Sequence, residues 1–169
     1  KYVINCAGLN AVKIANKVLN LDELPKNNFI KGSYLRYNAK SPIQHIIYPA
    51  MKPGTLKERT DAAPDIYGGL RFGPSYEANS SVDNLTVPEN LINKFYENIA
   101  RFLPKIKKSD LSIDLSGIRP KIITKNNFNP DYYIKMDKNG WINLFGIESP
   151  GLTCSLAIGE YLREKFFKN

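Results

Sequence analysis

The sequence predicts an α+β protein with a mixed or antiparallel sheet. Apolar residues recur at helical spacing in three segments, near the start, the middle and the end of the chain, and several short strand-like runs lie between them. The 169 residues, 43% hydrophobic and 11% aromatic, are enough to bury a core. This composition argues against a disordered chain.

The first half of the chain predicts a strand, a helix and three further strands. The opening strand covers 2–5 and runs into Ala7 and Gly8, and a helix begins near Asn10 and ends before Pro25. The later strands are predicted at 29–37, 44–48 and 66–72. The polar loop at 49–65, at about 17 residues, is longer than a hairpin connection, so we expect it to be functional or mobile.

The second half predicts a helix, four strands and a closing helix. The middle helix starts at Pro88 and ends near Leu103, because an apolar stripe follows Pro88 at three- and four-residue spacing. Strands are predicted at 111–118, 121–124, 132–136 and 141–145, and the closing helix at 151–167. We expect the closing helix to be buried through Leu152, Leu156, Ala157, Tyr161 and Leu162.

The composition narrows the classes of function. Two cysteines, Cys6 and Cys154, are too few for a disulfide scaffold, and a single histidine, His45, excludes a multi-histidine metal site, so we expect no bound metal. We expect both thiols to be reduced, which indicates a cytoplasmic location. No apolar run reaches the roughly 20 residues that span a bilayer. The net charge of +8 is spread along the chain, so a nucleic-acid partner, whose binding would fall steeply with salt, is not expected.

The glycine spacing excludes the common nucleotide-binding loops. No three glycines form GxGxxG. Gly146 and Gly151 have the spacing of a GxxxxGK[ST] loop, but Leu152 stands where that loop requires lysine. A nucleoside triphosphatase is therefore excluded.

Two segments can recognise an anion. Ser149 is a suitable N-cap and Pro150 a suitable first helical residue, so backbone amides near Gly151 would be free at a helix start. Arg119 follows an apolar strand, and arginine there suits bidentate capture of a carboxylate. A capped helix without a ligand and a surface arginine paired with an acid remain the alternatives.

Five motifs follow one another along the chain: VINCAG at 3–8, IIYP at 46–49, LRFGP at 70–74, GIRPK at 117–121 and LFGIESPGLT at 144–153. The first resembles a late flavin-binding strand of the D-amino-acid-oxidase-like flavoenzymes. The other four are similar, in order, to motifs of one branch of that family, which contains the L-2-hydroxyglutarate dehydrogenases and oxidases and related bacterial FAD-dependent oxidoreductases. The last two motifs are the most specific.

The resemblance implies three segments: a partial FAD-binding segment at 1–25, a substrate-binding domain at 26–115 and a carboxyl-terminal FAD-binding segment at 116–169. The last strand and the closing helix would belong to an FAD-binding Rossmann-like domain. Family members begin with a GxGxxG unit that these residues lack. We therefore expect the carboxyl-terminal half of such an enzyme, whether a fragment or a partner of a separate Rossmann half, without stable FAD binding or activity alone.

The resemblance also implies a reaction, in which a 2-hydroxy or 2-amino acid is oxidised to a 2-oxo acid by hydride transfer to FAD. Arg119 would bind the substrate carboxylate, with Tyr34, Tyr48 and Lys121 as further substrate contacts. The implied cofactor contacts are Ala7, Gly8, Gly117, Ile118, Gly146, Ser149, Pro150, Gly151, Leu152 and Thr153.

Two alternatives remain at this point. An amino-acid oxidase of the same fold would use the same residues. A catalytically dead remnant that folds or binds a partner subunit is the other, favoured by the missing GxGxxG unit and by the lack of a histidine at 56–65, where family members usually carry one before the Arg-Phe-Gly-Pro motif.

Overall fold

The computed structural model describes residues 1–19, 24–50, 60–78, 80–125 and 131–167. The chain divides into two compact units: unit 1 is Lys1–Phe29 with Arg119–Asn169, and unit 2 is Ile30–Ile118. The boundaries predicted after residues 25 and 115 lie a few residues before the divisions after Phe29 and Ile118. The binding roles of the three predicted segments stay predictions. Among the described helices, none is long and apolar enough to cross a membrane.

The elements in the described residues comprise short strands and three α-helices. The strands are β1 (Val3–Asn5), β2 (Lys26–Asn27), β3 (Ile30–Tyr37), β4 (Asp61–Pro64), β5 (Leu70–Gly73), β6 (Glu77–Ala78), β7 (Leu111–Arg119), β8 (Ile122–Ile123), β9 (Tyr133–Met136) and β10 (Trp141–Phe145). The helices are α1 (Ala11–Leu19), α2 (Leu91–Ile99) and α3 (Ser155–Phe166). The α+β prediction is therefore confirmed, with both mixed and antiparallel pairing.

Unit 1 is built on a three-stranded sheet of order β1–β10–β9. β1 is parallel to β10 and β9 is antiparallel to it. Alternate residues of β10 point to opposite faces. Phe145 therefore packs with α1 residues, whereas Ile142 and Leu144 pack with Leu162 of α3.

A chain of buried amides joins β1 to β10. Asn5 Nδ2 donates to Asn143 Oδ1 at 2.7 Å and to the Ala11 carbonyl at 2.9 Å. Asn143 Nδ2 donates in turn to Asp137 Oδ2 at 2.8 Å, and Trp141 Nε1 donates to Asn143 Oδ1 at 2.9 Å. Because these bonds satisfy polar groups inside the unit, they fix the register of the parallel pair.

Unit 2 is a five-stranded sheet of order β4–β5–β3–β6, with β7 also paired to β3. Leu35 of β3 and Phe72 of β5 are opposite each other in the ladder, and both are fully buried. They form one core with Leu91, Phe95 and Ile99 of α2. The apolar stripe predicted for the middle helix is thus confirmed at these three positions.

The strand predicted at 66–72 is wrong over its first half, because a turn occupies 65–69. The Asp65 carboxylate accepts hydrogen bonds from the Tyr67 and Gly69 amides, both at 2.9 Å, and Gly68 has a φ of +81°. β4 precedes this turn, inside the segment predicted to be a loop. An aspartate that bonds the amides after it, followed by glycine, is a turn signal that outweighs apolar content.

The strand predicted at 44–48 is also wrong. Among the described residues 44–48, only Ile47 takes part in β-pairing, through an isolated antiparallel bridge to Ala62. The prediction of a functional or mobile loop falls largely on 51–59, which lie outside the described residues.

The closing helix begins at Ser155, not at Gly151, so the predicted capping by Ser149 and Pro150 is wrong. Residues 149–154 form consecutive turns. These turns use hydrogen bonds from Gly151 N to the Glu148 carbonyl and from Cys154 N to the Pro150 carbonyl. The helix follows only where Ile158 N reaches the Cys154 carbonyl. Local turn bonds have replaced the first helical turn.

The predicted buried face of the closing helix is wrong except at one residue. Leu152 precedes the helix and is 91% exposed, Leu156 is 89% exposed, and Tyr161 is also exposed. The face that packs on the sheet instead carries Ile158, Leu162 and Phe166, at four-residue spacing. The predicted stripe therefore lies largely off the face that packs on the sheet.

Candidate functional site

Three charged side chains of unit 1 meet where β7 ends and the turn after β10 begins. Arg119 Nη1 lies 3.5 Å from Glu148 Oε2, and Lys121 Nζ contacts Glu148 Oε1. The side chains of Arg119, Lys121 and Glu148 are 31%, 24% and 18% exposed. We call these three residues the charge cluster. Two partly exposed cations share one carboxylate, which leaves one formal positive charge open to an anion.

The local sequence explains why both cations reach the same acid. Arg119 is the last residue of β7, and Pro120, which has no N–H, ends the strand there. The Lys121 carbonyl accepts a hydrogen bond from the Asn28 amide at 2.8 Å, which fixes the backbone beyond the proline. Arg119 and Lys121 therefore converge although the strand does not continue between them.

The Glu148 backbone is held by two donors from its own unit. Its carbonyl accepts hydrogen bonds from Gly151 N at 2.5 Å and from the Tyr132 hydroxyl at 3.1 Å. A Cβ at position 151 would lie 2.5 Å from Ile147 Cγ2 and 2.7 Å from the Glu148 carbonyl oxygen. Only glycine fits there, so Gly151 sets the position of the acid.

Cys154 is the last residue of the turns at 149–154, and its side chain contacts Tyr132. The Cys154 thiol donates to the Tyr132 hydroxyl across 3.7 Å. Burial, followed by this hydrogen bond, raises the pKa of Tyr132 to about 12. The phenol is therefore neutral at physiological pH and acts as a fixed donor to the Glu148 carbonyl.

The turn that carries Glu148 also offers unused backbone donors. In the described part of the chain, no acceptor takes a hydrogen bond from the Leu152 or Thr153 amide, whereas the Gly151 amide is already engaged. Gly8, with a φ of +54°, has no atom within 4 Å of where a Cβ would stand. Two free amides and an open backbone fit a planar cofactor edge that becomes negatively charged on reduction.

The other predicted site residues divide between the units. In unit 1, Ala7 is half-buried, and Ser149 and Pro150 are exposed in the turn. In unit 2, Tyr34 lies against Gly73 and Tyr48 is exposed. The remaining two positions in unit 2 are Gly117 and Ile118, both in β7. The assignment of these residues to substrate or cofactor stays a prediction.

Sequence reasoning missed Glu148 and Tyr132. Glu148 lies inside the quoted GIESPG motif, and it is the only acidic residue between Asp137 and Glu160. Two cations at 119 and 121 need a partner, so this isolated acid was a usable signal. No comparable signal pointed to Tyr132.

Residues 1–165 match the family described as DAO, FAD dependent oxidoreductase. The chain therefore belongs to this family of FAD-dependent oxidoreductases, and the resemblance found from the motifs is confirmed.

Two sequence relatives agree with this assignment. The mitochondrial L-2-hydroxyglutarate dehydrogenase of Arabidopsis thaliana is 32% identical over 183 aligned positions, which cover 98% of this chain and 38% of that protein. A glycerol 3-phosphate dehydrogenase of Caloramator mitchellensis is 31% identical over 169 positions, covering 96% of this chain and 33% of that protein. The chain thus spans between a third and two fifths of these relatives.

Solved structures share the fold. The FAD-bound L-alpha-glycerophosphate oxidase of Mycoplasma pneumoniae superposes with a TM-score of 0.76 at 19% identity, covering 99% of this chain and 43% of that one. Glycine oxidase from Bacillus cereus gives a TM-score of 0.69 at 18% identity, covering 96% and 42%. The described α+β arrangement is therefore that of FAD oxidases.

Proposed function

We propose that the chain supplies the substrate-binding and part of the FAD-binding surface of an oxidoreductase that converts a 2-hydroxy acid, of the 2-hydroxyglutarate type, into a 2-oxo acid. The observation that carries the proposal is the charge cluster, in which Arg119 and Lys121 leave one net positive charge beside a turn with free amides. The identity to an L-2-hydroxyglutarate dehydrogenase supports a carboxylate substrate.

Arg119 binds the carboxylate of the substrate. A guanidinium offers paired N–H donors that match a carboxylate, and this fixes the orientation of the adjacent carbon. The side chain is only partly exposed, so its attraction for an anion is less screened than on an open surface. Lys121 keeps Glu148 in place.

The amides of Leu152 and Thr153 hold FAD, together with the backbone of Ala7 and Gly8 and with the other predicted cofactor contacts. Bound FAD would supply the hydride acceptor for the carbon that carries the hydroxyl group, and the hydroxyl proton would be released to water. The free amides stabilise negative charge at the edge of the cofactor, and Gly8 allows close approach of its backbone. Gly151 contributes by shaping the turn rather than by its amide.

The first experiment tests Arg119 in this chain. L-2-hydroxyglutarate is titrated into the wild type and into Arg119→Lys, with NMR of the backbone amides as the readout. Loss of the paired donors weakens binding by about 1.5–3 kcal/mol. Arg163→Lys, at an exposed arginine of α3, is the matched control and leaves affinity unchanged. Equal affinity in all three proteins would remove Arg119 from the site.

The second experiment tests the cofactor. We propose that stable FAD binding and turnover need polypeptide beyond these residues, which include no GxGxxG unit. Purified chain mixed with FAD and desalted then carries no flavin absorbance. Near-equimolar flavin in the desalted protein would contradict the proposal.

A further inference from the structure

The charge cluster engages its two cations unequally. Lys121 Nζ makes a close contact with Glu148 Oε1. Glu148 Oε2, by contrast, is buried and accepts no hydrogen bond, and Arg119 Nη1 is 3.5 Å away. Charged N–H donors normally lie 2.7–2.9 Å from a carboxylate oxygen. Glu148 is therefore bound to Lys121 and only adjacent to Arg119.

An ion pair in unit 2 shows what a fully engaged arginine looks like in this chain. Arg71 Nε lies 2.5 Å from Asp114 Oδ2. Arg119, in comparison, makes no hydrogen bond with the described residues, so its donors remain available. Arg119 can therefore donate hydrogen bonds to an external carboxylate without first breaking a hydrogen bond within the described residues.

From this difference we propose that Glu148 determines the charge of the group that binds at Arg119: by neutralising Lys121, it leaves Arg119 as a single net cation that prefers one carboxylate, with one negative charge, to a phosphate with two. The inference rests on the proposed role of Arg119 in substrate binding. It adds a reason why Arg119 would bind the carboxylate next to the hydroxyl group of a 2-hydroxy acid rather than the phosphate of a phosphorylated alcohol.

Coulomb's law gives the expected pattern. The negative charge of Glu148 repels a bound anion in proportion to the charge of that anion. Removing it therefore improves the binding free energy of a dianion by about twice as much as that of a monoanion. For partly exposed groups we expect an increase in affinity of about fivefold for a monoanion and about twenty-five-fold for a dianion.

The test uses two three-carbon probes that differ in charge, L-lactate and glycerol 3-phosphate, at pH 8, where the phosphate is a dianion because its second pKa is about 6. Both are titrated into the wild type, Glu148→Gln and Glu160→Gln by NMR. Glu160 is an exposed acid of α3 and serves as the matched control. We expect Glu148→Gln to raise the affinity for glycerol 3-phosphate about five times more than that for lactate, and Glu160→Gln to change neither.

The outcomes separate the inference from the proposed function. If Arg119→Lys weakens lactate binding but Glu148→Gln changes both affinities equally or lowers them, the inference is wrong and the proposed function stands. If neither probe binds wild type, Arg119→Lys or Glu148→Gln, both are wrong. Lys121→Met is the second variant, in which the uncompensated Glu148 should lower the affinity for glycerol 3-phosphate more than that for lactate. The reverse order would also overturn the inference.

Discussion

Each unit contains a lysine whose ammonium contacts a glutamate, but the two pairs are built in opposite ways. In unit 2, the Lys31 side chain is only 2% exposed, and its Nζ lies 3.1 Å from Glu77 Oε2 and donates to the Thr86 carbonyl at 3.0 Å. Glu77 itself is 45% exposed. In unit 1, it is the acid, Glu148, that is the least exposed member, and the cations around it reach solvent.

This difference separates a structural charge from a binding charge. Lys31 is enclosed and has two acceptors, so an external anion cannot reach it and its pairing serves the fold. Arg119 is partly exposed and has unused donors, so it can exchange partners. Burial of the cation, rather than the presence of an ion pair, distinguishes the two.

The largest expected effect comes from removing the counter-charge of Lys31. Glu77→Gln leaves a buried ammonium without its acid and should lower the free energy of unfolding by about 3 kcal/mol, near the low end for a broken buried pair because Glu77 is half-exposed. Glu148→Gln should cost less than about 1 kcal/mol, since its cations reach water. Hydrogen exchange of β3 amides measures the change in free energy for Glu77→Gln, and denaturant unfolding followed by Trp141 fluorescence measures it for Glu148→Gln.

Lys31→Met is the control for that prediction. It removes the buried charge while leaving Glu77 in solvent, so it should destabilise less than Glu77→Gln. Equal costs for Glu77→Gln and Glu148→Gln would show that the two pairs are energetically alike and would remove the basis of the comparison.

Sequence reasoning found the periodic parts of both units and missed the parts defined by local hydrogen bonds. The strand predicted at 141–145 has the observed bounds, and the α2 stripe of Leu91, Phe95 and Ile99 is buried as expected. The turn at 65–69 and the late start of α3 depend on side-chain and backbone bonds that outweigh apolar content. Periodicity carries no information about such bonds.

The candidate site was predictable only in part for a similar reason. Arg119 could be predicted as a site residue from its own motif, because an arginine at the end of an apolar strand suits carboxylate binding and this pattern lies within one segment of the sequence. Glu148 lies 27 residues from Lys121 in the sequence, and the contact between them arises only when β10 and the end of β7 are brought together. A pairing of this kind is a property of the fold.

The second prediction tests how Glu148 is positioned. Gly151→Ala would place a Cβ 2.5 Å from Ile147 Cγ2 and 2.7 Å from the Glu148 carbonyl, so it should destabilise unit 1 by about 2 kcal/mol. Gly159→Ala is the matched control: it lies within α3 with no atom within 4 Å of the added Cβ, and it should stabilise by about 0.5–1 kcal/mol. Denaturant unfolding followed by Trp141 fluorescence measures both, and a neutral Gly151→Ala would mean that the turn can move.

The smallest expected effect concerns Tyr132, the neutral donor to the Glu148 carbonyl. Its pKa is raised from 10.0 to about 12, so the folded state keeps the phenol protonated while the unfolded state ionises. The stability that this provides is present below pH 10 and is lost as the pH rises from 10 to 12. Between pH 10 and 12, the free energy of unfolding of unit 1 should therefore fall less steeply in Tyr132→Phe than in the wild type.

Other groups titrate between pH 10 and 12, so the contribution of Tyr132 is the difference in pH dependence between the wild type and Tyr132→Phe. Tyr67→Phe, at a side chain that is 91% exposed in unit 2, retains Tyr132 and serves as the control. If Tyr132→Phe and Tyr67→Phe gave the same pH dependence, the Tyr132 hydroxyl would not be enclosed in solution. The charge cluster would then be more open to water than the structure indicates, and its contrast with the enclosed Lys31 would be sharper.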